Sequence, residues 1–187
     1  PGGFTAVPKP GNTALFLPGK YRQQLEPVNL LYAGLNTASL LVTVDDTIRT
    51  ELTLGPEEVM GSVNISPNGS RSVKLEILSG DSINLYGISA ERGNGLFVDN
   101  LAMRGNSGLA LSRIKPSVLR KAHALRPYQL VVLQYGLNVV TENDSTTYAW
   151  YVAGMTRVVQ QIRAALPDCS ILMLSVSDRA EIGRAHV

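Results

Sequence analysis

The feature that most constrains this chain is a change of hydrophobic period near residue 95. Before it, short apolar stretches alternate with polar residues and break at turn formers, as half-buried strands do. Leu40–Val44, Ile48–Leu54, Val63–Ile65, Val73–Ile77 and Ile83–Ile88 read as strands, with Asp45-Asp46, Pro67-Asn68-Gly69 and Gly80-Asp81 as punctuation. In Ser72–Leu78, Val73, Leu75 and Ile77 share one face while Lys74 and Glu76 take the other. Two such sheets bury their apolar faces most simply as a β-sandwich, jelly-roll-like, which assigns 1–92 to a sandwich module with a broken N-terminal segment. The first 28 residues, with five prolines, resist assignment.

After residue 95 the chain reads as α/β. Leu96–Val98 is expected to be a short strand, followed by the glycine-rich turn Arg104-Gly105-Asn106-Ser107-Gly108. A helix is expected over Pro116–Leu125, begun by Pro116 and stopped at Arg126-Pro127. Leu130–Gln134 and Ile171–Val176 read as buried strands, and a helix of roughly Ser145–Leu166 joins them. On that helix Tyr148, Tyr151, Val152, Met155, Val158, Val159 and Ile162 form an apolar stripe, opposite Arg157, Gln160, Gln161 and Arg163. The β-α-β-α-β order implies a parallel sheet, whose ligands gather at the carboxyl ends of its strands. The glycine-rich turn and Tyr135–Asn138 both fall there. A tight strand-to-helix connection is the plainer use for Gly105 and Gly108.

With 44% hydrophobic and 17% charged residues among 187, the chain has material for a core. No apolar run reaches the roughly 18 residues of a membrane-spanning helix. A net charge of +2, with its basic residues scattered, does not suggest a nucleic-acid surface. The single Cys169 excludes an intrachain disulfide or a cysteine-based zinc site. No cofactor or metal is expected, since no clustered histidine and carboxylate ligands suggest one. The opening Pro1-Gly2-Gly3 lacks an initiator methionine, so the sequence is expected to be part of a longer precursor.

Asn100-Leu101-Ala102-Met103-Arg104-Gly105-Asn106-Ser107 resembles the second conserved block of the SGNH, or GDSL-type, hydrolases, and Tyr135-Gly136-Leu137-Asn138 resembles the third. The order is most similar to the branch that deacetylates peptidoglycan or related carbohydrates, where a β-sandwich resembling a carbohydrate-binding module is inserted early. The resemblance covers roughly residues 30–180 and makes 93–180 a partial SGNH-type α/β domain. Ala102 stands where a glycine is common, and Val139 where an aspartate often follows the third-block asparagine.

In that family a serine attacks an ester, and fixed donors hold the resulting oxyanion. The resemblance implies that Gly105 offers its backbone N–H and Asn138 its side-chain amide. It also implies an acetylated carbohydrate as substrate and a periplasmic or extracellular location. Gly80-Asp81-Ser82 looks like a nucleophile block, but the alternating Ile83–Ile88 after it reads as a strand where a helix is required, which makes it a plain turn. At the other end Asp178 is followed three positions later by Glu181 instead of histidine, His186 lies too far along, and His123 falls in the first helix. The resemblance therefore implies a nucleophile before Pro1 and an Asp–His pair after Val187, and an inactive or nearly inactive 1–187. Residues 181–187 resemble a translated sequencing adapter and are expected to be a non-native tail.

Two other readings compete. Tyr32, Tyr86, Phe97 and Trp150 offer rings for stacking on sugars in a non-catalytic carbohydrate-binding protein, although packing is the plainer role for each. A generic two-domain structural protein explains the stripe and strands, but not the meeting of Gly105 with Asn138.

Overall fold

The computed structural model describes residues 6–67, 69–80, 82–103, 105–140 and 147–176. It divides into two compact units, 1–102 and 103–187.

The first unit is an antiparallel sandwich. Its seven strands are β1 (Thr13–Phe16), β2 (Val28–Gly34), β3 (Ala38–Val44), β4 (Ile48–Leu54), β5 (Glu57–Ser66), β6 (Val73–Ser79) and β7 (Ile83–Ala90). One sheet runs β1-β6-β3-β4 and the other β5-β2-β7. Strict alternation drives their packing: Ala38, Leu40, Val42 and Val44 of β3 and Val73, Leu75 and Ile77 of β6 point inward, against Val28, Leu30 and Tyr32 of β2. Leu30 and Leu40 are almost wholly shielded, each burial favouring the fold by roughly 1.5–3 kcal/mol.

Asp45 and Asp46 turn β3 into β4 with φ of +49° and +59°, a left-handed geometry that aspartate tolerates better than most residues. The Asp45 carboxylate also accepts the N–H groups of Arg71 (2.6 Å) and Ser72 (2.9 Å), tying this turn to the start of β6.

The second unit holds a 3₁₀ turn (Leu109–Arg113), α1 (Pro116–Leu125), β8 (Leu130–Gln134), α2 (Ala149–Ala165) and β9 (Ser170–Leu174). β8 and β9 pair in parallel, Leu130 opposite Ser170 through Gln134 opposite Leu174. Parallel neighbours need a long crossover, and α2 lies in it. Met155, Val158, Ile162 and Ala165 of α2 pack with Leu133, Leu166 and Cys169.

Several expectations are corrected. Leu96–Val98 is not a strand: among the described residues no strand pairs with it, and Leu96 and Val98 are exposed. A strand needs a neighbour for its backbone groups, whatever its apolar content. β8 and β9 are not buried strands; Leu130, Val132, Leu172 and Leu174, which alternate onto one face, are each at least 41% exposed. α1 and α2 do not cover that face. β9 ends at Leu174, and α2 begins at Ala149. On α2, Val152 faces solvent. Gln161 instead turns inward, its Nε2 donating to the carbonyls of Leu111 (3.1 Å) and Ile114 (2.5 Å). The amide gives the Ile114 carbonyl a donor and adds a second one to the Leu111 carbonyl, which already accepts the Ile114 N–H; an apolar side chain could do neither.

Candidate functional site

The site is the meeting of the glycine-rich turn with the segment after β8. The turn closes with the Asn106 N–H donating to the Met103 carbonyl at 3.2 Å. Gly105 sits inside it at φ +77°, a value open to glycine at little cost, and a Cβ there would meet nothing within 4 Å. The backbone at Gly105 is therefore open to an approaching ligand. Among the described residues, none accepts the Gly105 N–H.

Asn106 does three things at once. Its Oδ1 accepts the Gly108 N–H at 2.8 Å, the local closure that asparagine favours in turns. Its Nδ2 approaches Met103 Sδ at 3.8 Å. Its main-chain carbonyl accepts Nδ2 of Asn138 at 3.1 Å. That last bond joins the two sequence motifs and brings the Asn138 amide beside the residue that follows Gly105. An amide nitrogen has two N–H groups, so one remains when Asn106 has taken the other.

The turn rests on a tyrosine floor. Gly108, at φ +85°, passes so close to Tyr135 that a Cβ would fall 2.6 Å from the ring. The hydroxyl of Tyr151, in the first turn of α2, donates to the Ser107 carbonyl at 2.8 Å. Burial raises the Tyr151 phenol above its ordinary pKa, and the neighbouring Tyr135 phenol adds to that shift. Val139 and Val140 N–H both donate to the Gly136 carbonyl, at 2.8 and 3.2 Å, curling the chain that carries Asn138. The apolar stripe placed Tyr151 on the packed side of α2 but gave no hint of its hydroxyl bond.

The other named residues fall elsewhere. Ser82 lies in the turn between β6 and β7, at φ +62°, and a strand follows it. His123, at the end of α1, accepts the Tyr128 N–H on Nδ1 at 3.2 Å, which closes the helix end. Tyr32 is a core residue of the sandwich. Tyr86 reaches the Val59 carbonyl at 3.4 Å. Trp150 is 55% exposed and meets Tyr151 edge to face, centroids 5.7 Å apart. Asp81, Arg104, Asp178, Glu181 and His186, with the 181–187 tail, lie outside the described residues.

Among the described residues no group of three or more His, Cys, Asp or Glu could hold a metal ion. No helix among them is long and apolar enough to cross a membrane.

No family model and no curated protein matches the sequence. Solved structures do. A family two carbohydrate esterase from Clostridium thermocellum in complex with cellohexaose is 11% identical, with 89% of this chain and 71% of that one covered and a TM-score of 0.37. A family two carbohydrate esterase from Cellvibrio japonicus is 14% identical, covering 90% and 70%, with a TM-score of 0.36. A Corynascus thermopiles carbohydrate esterase family 2 enzyme plus carbohydrate binding domain is 14% identical, covering 96% and 76%, with a TM-score of 0.32. Every one of these scores is below 0.5, so the likeness carries no argument for the chemistry of this chain.

Proposed function

We propose that the turn at Gly105 and the Asn138 amide form the oxyanion-binding part of a serine esterase that removes O-acetyl groups from carbohydrate, peptidoglycan included. The observation that carries this reading is the 3.1 Å bond from Asn138 Nδ2 to the Asn106 carbonyl. It holds one N–H of the amide on the carbonyl of the residue after Gly105, and in this reading the second N–H and the Gly105 N–H serve the oxyanion together.

Attack on an acetyl ester turns a planar carbonyl into a tetrahedral alkoxide, and donors already fixed before attack stabilise it without reorganising. Asn106 and Tyr151 hold this turn in advance: Asn106 by its own side chain, Tyr151 through Ser107. Neither proposed donor brings a charge that would bind a carboxylate product too tightly. In this reading the nucleophile and the Asp–His pair come from residues outside 1–187, and the enzyme works outside the cytoplasm, where acetylated polysaccharide is found.

The test is acetate release from acetylated oligosaccharides, by residues 1–187 and by the same chain expressed with whatever flanks it in its reading frame. The flanked chain is expected to release acetate and 1–187 to release none. Enzyme-like hydrolysis by 1–187 would put the nucleophile inside this sequence. No hydrolysis by the flanked chain would end the esterase reading.

A further inference from the structure

The net charge of +2 hides a division between the two units. Residues 1–102 hold seven Lys and Arg against ten Asp and Glu, whereas 103–187 hold ten against five. From Asn100 to Thr141 there is no Asp or Glu, yet Arg104, Arg113, Lys115, Arg120, Lys121 and Arg126 all fall there. Such an imbalance between the halves of one chain points to an anionic partner for the basic half.

The structure gathers part of this charge on an anchored ledge. The 3₁₀ turn (Leu109–Arg113) runs through Ile114 and Lys115 straight into α1. Gln161 clamps that junction to α2 through the Leu111 and Ile114 carbonyls, and Leu119 of α1 packs against Val158 and Ile162. Pro116 fixes the first turn of the helix. Arg113 and Lys115 stand exposed on either side of Ile114, and Arg120 is exposed about 7.5 Å further along the helix axis. On α2, Gly154 receives Leu109 and Gln161 reaches Leu111 and Ile114. Arg157, exposed between those two positions and one turn from Gln161, therefore borders the same ledge.

No carboxylate answers these four cations. None of them takes part in an ion pair, and Asp168, beyond the end of α2, is the one acid of 103–187 among the described residues. Four like charges on one surface repel one another, and an anion laid across them removes that cost.

The ledge also selects the kind of anion. Its exposed neighbours on α1 are small, Ser117 and Ala124, and 109–126 contains no Phe, Tyr or Trp. It has no ring on which a base could stack and no exposed large apolar side chain to enter a lipid layer. Three of the four cations are arginines, whose planar fork takes two oxygens of one phosphate or carboxylate. Their spread over the turn and two helices suits oxyanions repeated along a chain better than one small ion.

We propose that the ledge of the 3₁₀ turn, α1 and Arg157 docks a flexible linear polyanion that carries phosphate or carboxylate on successive units. The proposal does not rest on the esterase reading, since a chain that hydrolyses nothing can still bind there.

The test is binding of residues 1–187 to fluorescently labelled long-chain polyphosphate and polygalacturonate, read by anisotropy at rising salt. At least one polymer should bind at low salt and weaken as salt rises, and the tighter of the two identifies the oxyanion. The triple variant Arg113→Gln, Lys115→Gln, Arg120→Gln should lose at least about tenfold in affinity and lower the slope of log K against log salt by about two. Arg120→Gln alone, which places a good helix former in α1, should lower the slope by about one. Lys9→Gln, Arg49→Gln, Lys74→Gln removes the same charge from the sandwich and should bind as the parent does. All six side chains are exposed, so the melting temperatures should stay at the parent's value, which separates lost binding from lost folding. The proposal is overturned if neither polymer binds at low salt, or if the two triple variants lose affinity equally, since net charge alone would then act. Binding to phosphatidylglycerol vesicles and to neither polymer would overturn it in favour of a membrane surface. Self-association of the parent that the ledge variant abolishes would overturn it in favour of the acidic sandwich of a second copy.

Discussion

Tyr135 occupies the space that any side chain at residue 108 would need: a Cβ on Gly108 would lie 2.6 Å from its ring. Gly108→Ala must therefore move a half-buried ring and also hold alanine at φ +85°. Left-handed geometry costs about 1–2 kcal/mol and overpacking a further 1–3. Gly105→Ala meets open space and carries only the first cost. Thermal melts of the two variants should show Gly108→Ala clearly the less stable; equal melting points would mean that Tyr135 does not support the turn.

Tyr151→Phe removes the hydroxyl that donates to the Ser107 carbonyl. The expected loss in urea unfolding is about 1 kcal/mol, with little change in the slope. The Tyr151 phenol is raised in the folded state, so the folded chain keeps its proton longer than the unfolded one. Its contribution is then complete below the unfolded value of about 10 and is lost as pH rises through the folded one. Above pH ~10 stability should fall more steeply in the parent than in Tyr151→Phe. Parallel alkaline limbs would contradict this.

Asp45 has the opposite sign. The Ser72 N–H, then the Arg71 N–H, bond its carboxylate and lower its pKa, and the Arg71 charge acts the same way. Its contribution is present above the unfolded value of about 3.9 and disappears as pH falls through the lower folded value. Asp45→Asn keeps a side chain suited to φ +49° and removes the charge. Its stability should depend less on pH in the acid limb than the parent's, as read from melts between pH 2 and 5. An unchanged limb would show that these N–H groups do not favour the ionised form.

Much of the architecture was legible because local chemistry and tertiary packing agreed. α1 matches its expected limits since Pro116 starts it and Arg126-Pro127 cannot continue it. β3 and β6 were visible through alternation that the two-sheet core uses directly. β1 carries no such pattern: it is a largely exposed edge strand held by pairing with β6, with Phe16 alone of its residues packed against the core. β2 hid behind Pro27 and an almost unbroken apolar run, although Val28, Leu30 and Tyr32 do alternate inward. The apolar content of β8 and β9 misled about burial, because hydrophobicity states a preference and says nothing of what covers the face.

The site was legible in part for the same reason. Gly105 and Asn138 stood out by motif and position, whereas Asn106 acts through a main-chain carbonyl, which no residue type advertises. Tyr151 counted as part of an apolar stripe, and its hydroxyl bond depends on where Ser107 sits. Gln161 reads as solvent-facing on the helix wheel, and only the position of the Leu111 and Ile114 carbonyls shows that its amide turns inward.

The most direct measurement is the turnover of an acetylated oligosaccharide by Asn138→Ala, made in the flanked chain that carries the activity. Loss of an oxyanion donor should lower kcat by about 10²–10³ and leave KM nearly unchanged, because the donor acts on charge that develops only during attack. A kcat equal to the parent's, or a change confined to KM, would remove Asn138 from the chemistry and the esterase account with it.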